Sequence, residues 1–214
     1  MRITHLGHAC LLVEGRDTRL LLDPGTFSAG YEGLTGLDIV LLTHQHPDHV
    51  DADRLPELLA SSPGAELLAE PETAAALDLP SATAFAAGSS RVIGDLTVTA
   101  VGGQHALNHD RVPVIGNVGL IIAEAGGATL FHPGDSYADT PPGVDVLAFP
   151  LNAPWAKVSE TLDFVRAVEA PVAVPIHDGL LNADGRAAYL MHVERFAQTD
   201  RELRDLSDGK PYDA

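Results

Sequence analysis

The chain has 214 residues, of which 45% are hydrophobic, so it is long enough to bury a large core. No Pro/Gly/Ser-rich linker or low-complexity run divides it, and we expect one domain over residues 1–214. Thirteen basic residues stand against 30 acidic ones, for a formal net charge of −17. This balance argues against a nucleic-acid partner and against an anionic membrane surface.

The first residues and the single cysteine bear on the cellular compartment. The chain leads directly into a predicted strand, with no basic segment followed by a long apolar one, so we expect neither a signal peptide nor a transmembrane span. Cys10 lies in an apolar run and cannot form an internal disulfide, which suits a buried structural thiol in a reducing environment. These features predict a cytoplasmic protein. Assembly into a homo-oligomer is left open.

Hydrophobic periodicity predicts a mixed α/β (α+β) chain in which strands outnumber helices. Strands are expected near residues 2–5, 9–14, 19–23, 38–43, 65–69, 96–101, 118–123, 128–132, 145–149 and 172–176. Helices are expected near residues 51–60, 71–78, 159–169 and 184–204. The third helix would begin at Ser159, a residue type that often caps helix N-termini.

The most informative segment is residues 43–49, with the sequence Thr-His-Gln-His-Pro-Asp-His. It follows an apolar run at residues 39–42 that predicts a buried strand. Pro47 argues against a helix, and alternating side chains project together from an extended or looping backbone. Imidazole nitrogens and carboxylate oxygens are typical ligands of zinc and related metals. The segment therefore predicts a metal site that uses His44, His46, Asp48 and His49.

Three later predicted strands also end next to a candidate ligand. His105 follows the strand near residues 96–101, Asp135 follows that near 128–132, and His177 follows that near 172–176. Loops that leave a rigid sheet are common places for functional residues.

With these motifs the sequence resembles the metallo-β-lactamase fold superfamily over nearly its whole length. The resemblance implies a four-layer αββα sandwich. Three segments are also similar to a compact branch of metal-dependent hydrolases that includes the ascorbate-6-phosphate lactonases. Pro133 departs from this branch, which often has a small residue there. The three segments are Ile3 to Cys10, His132 to Ser136, and Pro175 to His177.

The resemblance implies two divalent metal ions, zinc or manganese, with iron as an alternative. The first ion is assigned to His44, His46 and His105. The second is assigned to Asp48, His49 and His177, and Asp135 would bridge both. Asp23 would orient a ligand imidazole, although a turn role beside Pro24 is the alternative.

Several polar residues near these motifs have two interpretations each. His132 could donate a proton or be a hydrogen-bonded core histidine, and His8 could orient a ligand or substrate or simply end a strand. His109 lies on a polar loop after His105. Four further side chains would rim the substrate pocket, with solvated charge or loop packing as alternatives. They are Arg111, Asn152, Trp155 and Lys157.

The predicted function is metal-dependent hydrolysis. Two metals would lower the pKa of a bridging water from about 15.7 to about 7, and the hydroxide would attack a small lactone, ester or phosphodiester. Asp48, Asp135 and His132 are the candidate catalytic residues. A small anionic substrate, such as a phosphorylated sugar lactone or a cyclic phosphodiester, is expected because the metals are a local positive charge.

Two other functions stay open at this point. An iron-dependent redox enzyme, such as a thiol dioxygenase, would use the same nitrogen and oxygen ligands. A non-catalytic metal-binding sensor is disfavoured because the ligand set leaves open metal positions rather than a closed structural site. His5 and His192 are expected to lie outside the site.

Overall fold

The computed structural model describes residues 1–197 and 201–214, and within these ranges the chain forms two β-sheets and four α-helices. The strands are β1 Arg2–His5, β2 Leu11–Glu14, β3 Arg19–Leu22, β4 Ile39–Leu42, β5 Glu66–Ala69, β6 Thr83–Ala84, β7 Ser90–Ile93, β8 Leu96–Gly102, β9 Val118–Glu124, β10 Thr129–His132, β11 Val146–Pro150, β12 Val172–Ile176, β13 Glu202–Leu203 and β14 Tyr212–Asp213. The helices are α1 Leu55–Ser61, α2 Pro71–Ala76, α3 Val158–Val168 and α4 Ala183–His192, the last followed by a π-helical turn at Val193–Ala197.

Each sheet has seven strands and combines antiparallel with parallel pairing. The first has the order β14-β1-β2-β3-β4-β5-β6, and the second has the order β13-β12-β11-β10-β9-β8-β7. Strands β3 to β6 run parallel, as do β10 to β13, whereas the other neighbours are antiparallel. Parallel neighbours end at the same edge of a sheet, so the loops after them lie close together.

Three apolar clusters show that the sheets and helices stack in four layers. Leu20 and Ile122 belong to the cluster between the two sheets. Leu21, which points to the opposite face because strand side chains alternate, packs in a cluster with Leu58 of α1. On the outer face of the second sheet, Phe164 of α3 packs among strand residues. The αββα sandwich implied by the resemblance is confirmed.

Helix α3 begins slightly earlier than predicted. Its N-cap is Lys157, which has an extended backbone and whose main-chain N–H donates to the Glu160 carboxylate at 2.9 Å. Ser159 therefore lies inside the helix, so its prediction as the N-cap was wrong. The buried side chains of this helix are Thr161, Phe164, Val165 and Val168. Among the described residues, no helix is long and apolar enough to cross a membrane.

The predicted helix near residues 184–204 was wrong at its C-terminal end. The α-helix ends at His192, residues 198–200 lie outside the described residues, and Glu202–Leu203 pairs in parallel with β12. Strands β6, β7 and β14 were also not predicted. Short or exposed strands carry little periodic pattern, and the partner of β14 is also distant in the sequence, since Ile3 pairs with Tyr212.

One edge of the sandwich collects the loops that carry the candidate ligands. These loops follow β4, β8, β10 and β12, and they hold His44, His105, Asp135 and His177 respectively. Main-chain hydrogen bonds join the two sheets there. Val118 N–H donates to Thr43 O at 3.0 Å, and His177 N–H donates to His8 O at 2.7 Å. The sandwich therefore fixes the relative positions of ligand loops that are far apart in the chain.

Gly25 offers a test of how closely the ligand loop is packed. A Cβ at this position would lie 2.6 Å from His49 N and would also overlap the Asp48 carbonyl group. Because such overpacking forces the backbone to move, we expect Gly25→Ala to lower the free energy of unfolding by about 1–3 kcal/mol. Urea denaturation measures this change. The matched control is Gly33→Ala, where a Cβ would meet no atom within 4 Å, and its stability should stay within about 0.5 kcal/mol of the parent. Equal stabilities for the two variants would contradict the prediction.

Candidate metal centre

The predicted ligands come together in two adjacent clusters at the loop-bearing edge. In each cluster the candidate ligand atoms all lie within 4.8 Å of one another. The first cluster contains His44, His46, His105 and Asp135. The second cluster contains His8, Asp48, His49 and His177. The structure thus brings all seven predicted ligands together and places His8 beside them.

In the first cluster, hydrogen bonds turn the imidazole rings inwards. The His44 Nδ1–H donates to the Thr43 hydroxyl at 3.1 Å, and that hydroxyl donates to Asp23 at 2.6 Å. His44 Nε2 is thereby left facing His46 Nδ1 at 3.0 Å. The His105 Nδ1–H donates to the Ala106 carbonyl at 2.6 Å, which leaves Nε2 free. A partner on one ring nitrogen selects the other as the ligand atom.

The same pattern holds two imidazoles of the second cluster. The His49 Nδ1–H donates to Asp23 at 2.7 Å, and the His177 Nδ1–H donates to the main-chain carbonyl of Asn152 at 2.7 Å. Their Nε2 atoms point into the site. Asp23 therefore orients His49, as the resemblance implied, whereas Asn152 acts through its backbone and not through the amide predicted at the pocket rim.

His8 occupies a different position from the other histidines in this cluster. Its Nδ1 accepts a hydrogen bond from Gly179 N–H at 3.0 Å, so its proton is on Nε2. That Nε2–H donates to Asp48 Oδ2 at 3.1 Å. Both ring nitrogens are thus used, and His8 orients the Asp48 carboxylate.

Asp135 lies between the two clusters. Its Oδ1 is 3.1 Å from His49 Nε2 and 3.2 Å from His177 Nε2. Its Oδ2 is 3.5 Å from His105 Nε2 and accepts a hydrogen bond from Trp155 Nε1–H at 2.9 Å. The two oxygens therefore face different clusters.

Four atoms in the site are buried and have no hydrogen-bond partner. They are His49 Nε2, His105 Nε2, His177 Nε2 and Asp135 Oδ1. Buried polar atoms are normally paired, because leaving one unpaired costs free energy. These four converge on the same space, and nitrogen and oxygen donors of this kind suit zinc, manganese or iron. The residues present therefore fit divalent metal ions.

The charges of the site also favour the binding of metal ions. Burial raises the pKa of Asp135, but His177 and His49 more than offset this and hold it well below its usual range. Burial likewise raises the pKa of Asp48, yet the hydrogen bond from His8 and the neighbouring imidazoles lower it to about 2. Burial lowers the pKa of His49, but Asp135 and Asp23 raise it well above its ordinary value. Both carboxylates are ionised at neutral pH and require positive partners.

Backbone strain is concentrated around the metal centre. Among the described residues, five that are not glycine have positive φ, and three of these contact or form the site. They are His8 at 50°, Asp23 at 45° and His177 at 58°. Positive φ is unfavourable for residues with a Cβ, so it persists where the surrounding structure holds it and often marks function.

His132 lies beneath the turn that carries Asp135. Its Nε2–H donates to Ala9 O at 2.9 Å, and its Nδ1 accepts from Gly134 N–H at 3.1 Å. The ring is fully buried. With both nitrogens engaged, His132 holds the turn in place, and this geometry does not support the predicted role in proton transfer.

Asn117 also supports this turn and was not predicted from the sequence. Its side-chain oxygen accepts from Asp135 N–H at 2.9 Å, and its amide donates to Pro133 O at 3.0 Å. The only local signal is a polar residue next to the apolar start of β9, and a single asparagine there has no specific meaning.

A cavity of about 410 Å³ opens above the metal centre. Its lining residues are His46, Pro47, Asp48, His105, Asn108, Val112, Asp135, Pro154, Trp155, His177 and Leu180. Of the predicted rim residues, Trp155 lines this cavity, whereas Arg111 and Lys157 do not. His109 is exposed and accepts a hydrogen bond from the Arg111 main-chain N–H at 3.1 Å.

Comparison with known proteins agrees with the fold. Residues 2–177 match the family described as the "Beta-lactamase superfamily domain". Protein Rv0786c of Mycobacterium tuberculosis is 49% identical over 95% of this chain and 96% of its own length. A UPF0173 metal-dependent hydrolase of Xanthobacter autotrophicus is 35% identical over 65% of this chain and 64% of its own length. The solved metallo-beta-lactamase fold protein YhfI of Bacillus subtilis has a TM-score of 0.72, 18% identity and 99% coverage of both chains. Because the family match spans most of the sequence, the chain belongs to the beta-lactamase superfamily.

Proposed function

We propose that this chain is a metal-dependent hydrolase that uses two divalent ions, zinc or manganese, to cleave a small lactone, ester or phosphodiester. The observation that carries the proposal is the convergence of unpartnered, buried ligand atoms at the floor of an open cavity. The metal-dependent hydrolase of Xanthobacter autotrophicus among the relatives supports it. The similarity of three segments to the lactonase branch favours a lactone among these substrates.

The two clusters assign the ligands. His44, His46 and His105 would hold one ion, while Asp48, His49 and His177 would hold the other. Asp135 would contact both, since its two oxygens face different clusters. When bound, such ions lower the pKa of coordinated water and polarise a carbonyl or phosphoryl oxygen.

The residues that line the cavity support water as the nucleophile. No serine, threonine or cysteine is among the residues that line the cavity above the metal centre in the described part of the chain. Asp48 does line it, and its side chain is 21% exposed, so it can accept a hydrogen bond from a water molecule there. The hydrogen bond from His8 fixes the orientation of this carboxylate. Asp48 is therefore the residue best placed to accept a hydrogen bond from water and to position it.

Metal content and oxygen dependence distinguish an iron-dependent redox enzyme from a hydrolase. Nitrogen and oxygen ligands also suit iron, so the ligand set alone does not choose between them. Protein purified without added metal is therefore assayed for bound elements before any activity is measured. Two ions of zinc or manganese support hydrolysis, and a single iron with oxygen consumption supports redox chemistry.

The ligand assignment predicts the effect of removing a ligand. We expect His46→Ala and Asp135→Ala to lose bound metal and hydrolytic activity, because each removes an atom that faces the proposed ions. His192→Ala is the control, since His192 lies on α4 and its ring bonds to the Ala188 carbonyl. Mass spectrometry of bound elements and circular dichroism report metal and fold. Full metal retention by folded His46→Ala and Asp135→Ala would refute the assignment.

Asp48 is expected to matter more for rate than for folding. Asp48→Asn should fold and should keep the ion of the first cluster, because its amide is isosteric and the first cluster does not include Asp48. Turnover should fall about a hundredfold or more, on the scale of losing a group positioned for proton transfer. The measurement is kcat at saturating metal together with metal stoichiometry. Unchanged kcat would remove Asp48 from the mechanism.

Metal binding should release protons at neutral pH. Burial lowers the pKa of His49, but Asp135 and Asp23 raise it well above its usual value. An imidazole binds metal only in its neutral form, so we expect metal binding to release protons and to weaken as pH falls. Calorimetric titration with zinc in buffers of different ionisation enthalpy measures the release. An identical binding enthalpy in all buffers would contradict this expectation.

A further inference from the structure

We infer that the site selects an uncharged ester or lactone with an apolar substituent, and that this substituent lies in a second cavity beside the metal centre. The inference rests on the proposed hydrolase function and specifies its substrate class. It departs from the small anionic substrate predicted from the sequence, because the walls of the two cavities lack the cations that such a substrate needs.

The mouth of the cavity above the metal centre is apolar. Val112 and Leu180 line it with 47% and 50% of their surface exposed, and Pro154 adds a further apolar wall. Large apolar side chains that remain exposed around a concave site commonly mark where a ligand binds. Contact with an apolar substituent would remove this surface from water, which is favourable in proportion to the area covered.

A second cavity of about 400 Å³ adjoins the first and shares His105 and Trp155 with it. Its walls include Leu107, which is 55% exposed, and Tyr137, whose ring lies 4.7 Å from that of Trp155. Each cavity falls within the size range of small-molecule sites, about 300–1,000 Å³. A substrate whose reacting carbonyl lies over the metal centre can therefore extend past Trp155 into the second cavity.

Neither cavity is lined by a lysine or arginine of the described ranges that could pair with a phosphate or a carboxylate on that substituent. The neutral polar side chains of the second cavity include Gln104, Ser136 and Tyr137. Glu160 is one of the ionisable side chains that line the second cavity. Lys157 Nζ lies 3.9 Å from its carboxylate and already pairs with it. An anion placed there would lose water without gaining a charged hydrogen bond, and it would face a carboxylate. An uncharged apolar group meets neither cost.

The chain's single tryptophan makes this inference directly measurable. Trp155 separates the two cavities and bonds to Asp135, so intrinsic tryptophan emission reports only on the site. We would titrate the zinc-loaded protein with two hydrolysis-resistant γ-lactams that carry a hexyl chain, ending in a methyl group in one and in a phosphate in the other. The methyl-ended probe should change the emission and bind about tenfold more tightly or better. Equal or tighter binding of the phosphate-ended probe, or no binding by either, would overturn the inference.

A matched pair of variants tests whether the cavity walls cause this preference. Val112→Lys places a cation at the mouth of the first cavity and should reduce the preference for the methyl-ended probe by about threefold or more. Val92→Lys is the control, because Val92 is 70% exposed on β7 and lines neither cavity. Its preference should equal that of the parent. The same shift in both variants would assign the effect to net charge and would overturn the role of the walls.

Hydrolysis of the corresponding lactones separates the two proposals. Metal-dependent turnover that favours the methyl-ended lactone supports both. Turnover that favours the phosphate-ended lactone overturns the substrate class and leaves the hydrolase function intact. Selective binding of the methyl-ended lactam without metal-dependent turnover of either lactone overturns the hydrolase function, while the binding preference of the cavities stands.

Discussion

The buried negative charge of Asp135 is the constraint on which the rest of the site depends. Its residue is 3% exposed, and an ionised carboxylate in such a place is stable only when it is paired on every side. His49 and His177 approach one oxygen, Trp155 donates to the other, and Asn117 holds the backbone of the turn. Each of these partners comes from a different part of the chain. Several ligand loops therefore contribute partners to one buried carboxylate, and its negative charge favours the binding of cations.

A second buried carboxylate makes the arrangement rigid. Asp23 accepts from the Thr43 main chain and hydroxyl and from His49, so one residue of the first sheet sets the direction of imidazoles in both clusters. Its backbone has a positive φ, an unfavourable conformation that the neighbouring hydrogen bonds maintain. Partners of this kind commonly change metal affinity or activity by about 10–100-fold when they are lost. A strained backbone and buried hydrogen bonds are thus required to direct several ring nitrogens into one small space.

The parts of the structure that could be predicted from the sequence are those with a local chemical signal. Apolar runs such as residues 39–42 predict buried strands, and His/Asp motifs directly after them predict ligands, because parallel strands end at one edge. Strand β14 could not be predicted, since its two residues are held by pairing with Arg2 and Ile3 at the other end of the chain. The hydrogen bond from Trp155 to Asp135 and the absence of Arg111 from the walls of the two cavities also depend on tertiary packing. A residue's place on a loop predicts its neighbourhood but not where its side chain points.

Net charge and local charge act on the substrate over different distances. The many carboxylates that make the chain acidic are screened in solution within about 8 Å at physiological salt, so they influence approach more than binding. Inside the site, divalent ions would bring more positive charge than Asp48 and Asp135 offset. Negative charge that develops on a reacting carbonyl oxygen can use this surplus, and an interaction that strengthens only in the transition state raises the rate. A phosphate on the substrate that reached the ions would use this surplus in the ground state, where it does not accelerate the reaction. An uncharged substrate therefore leaves the positive charge of the centre available to stabilise the transition state.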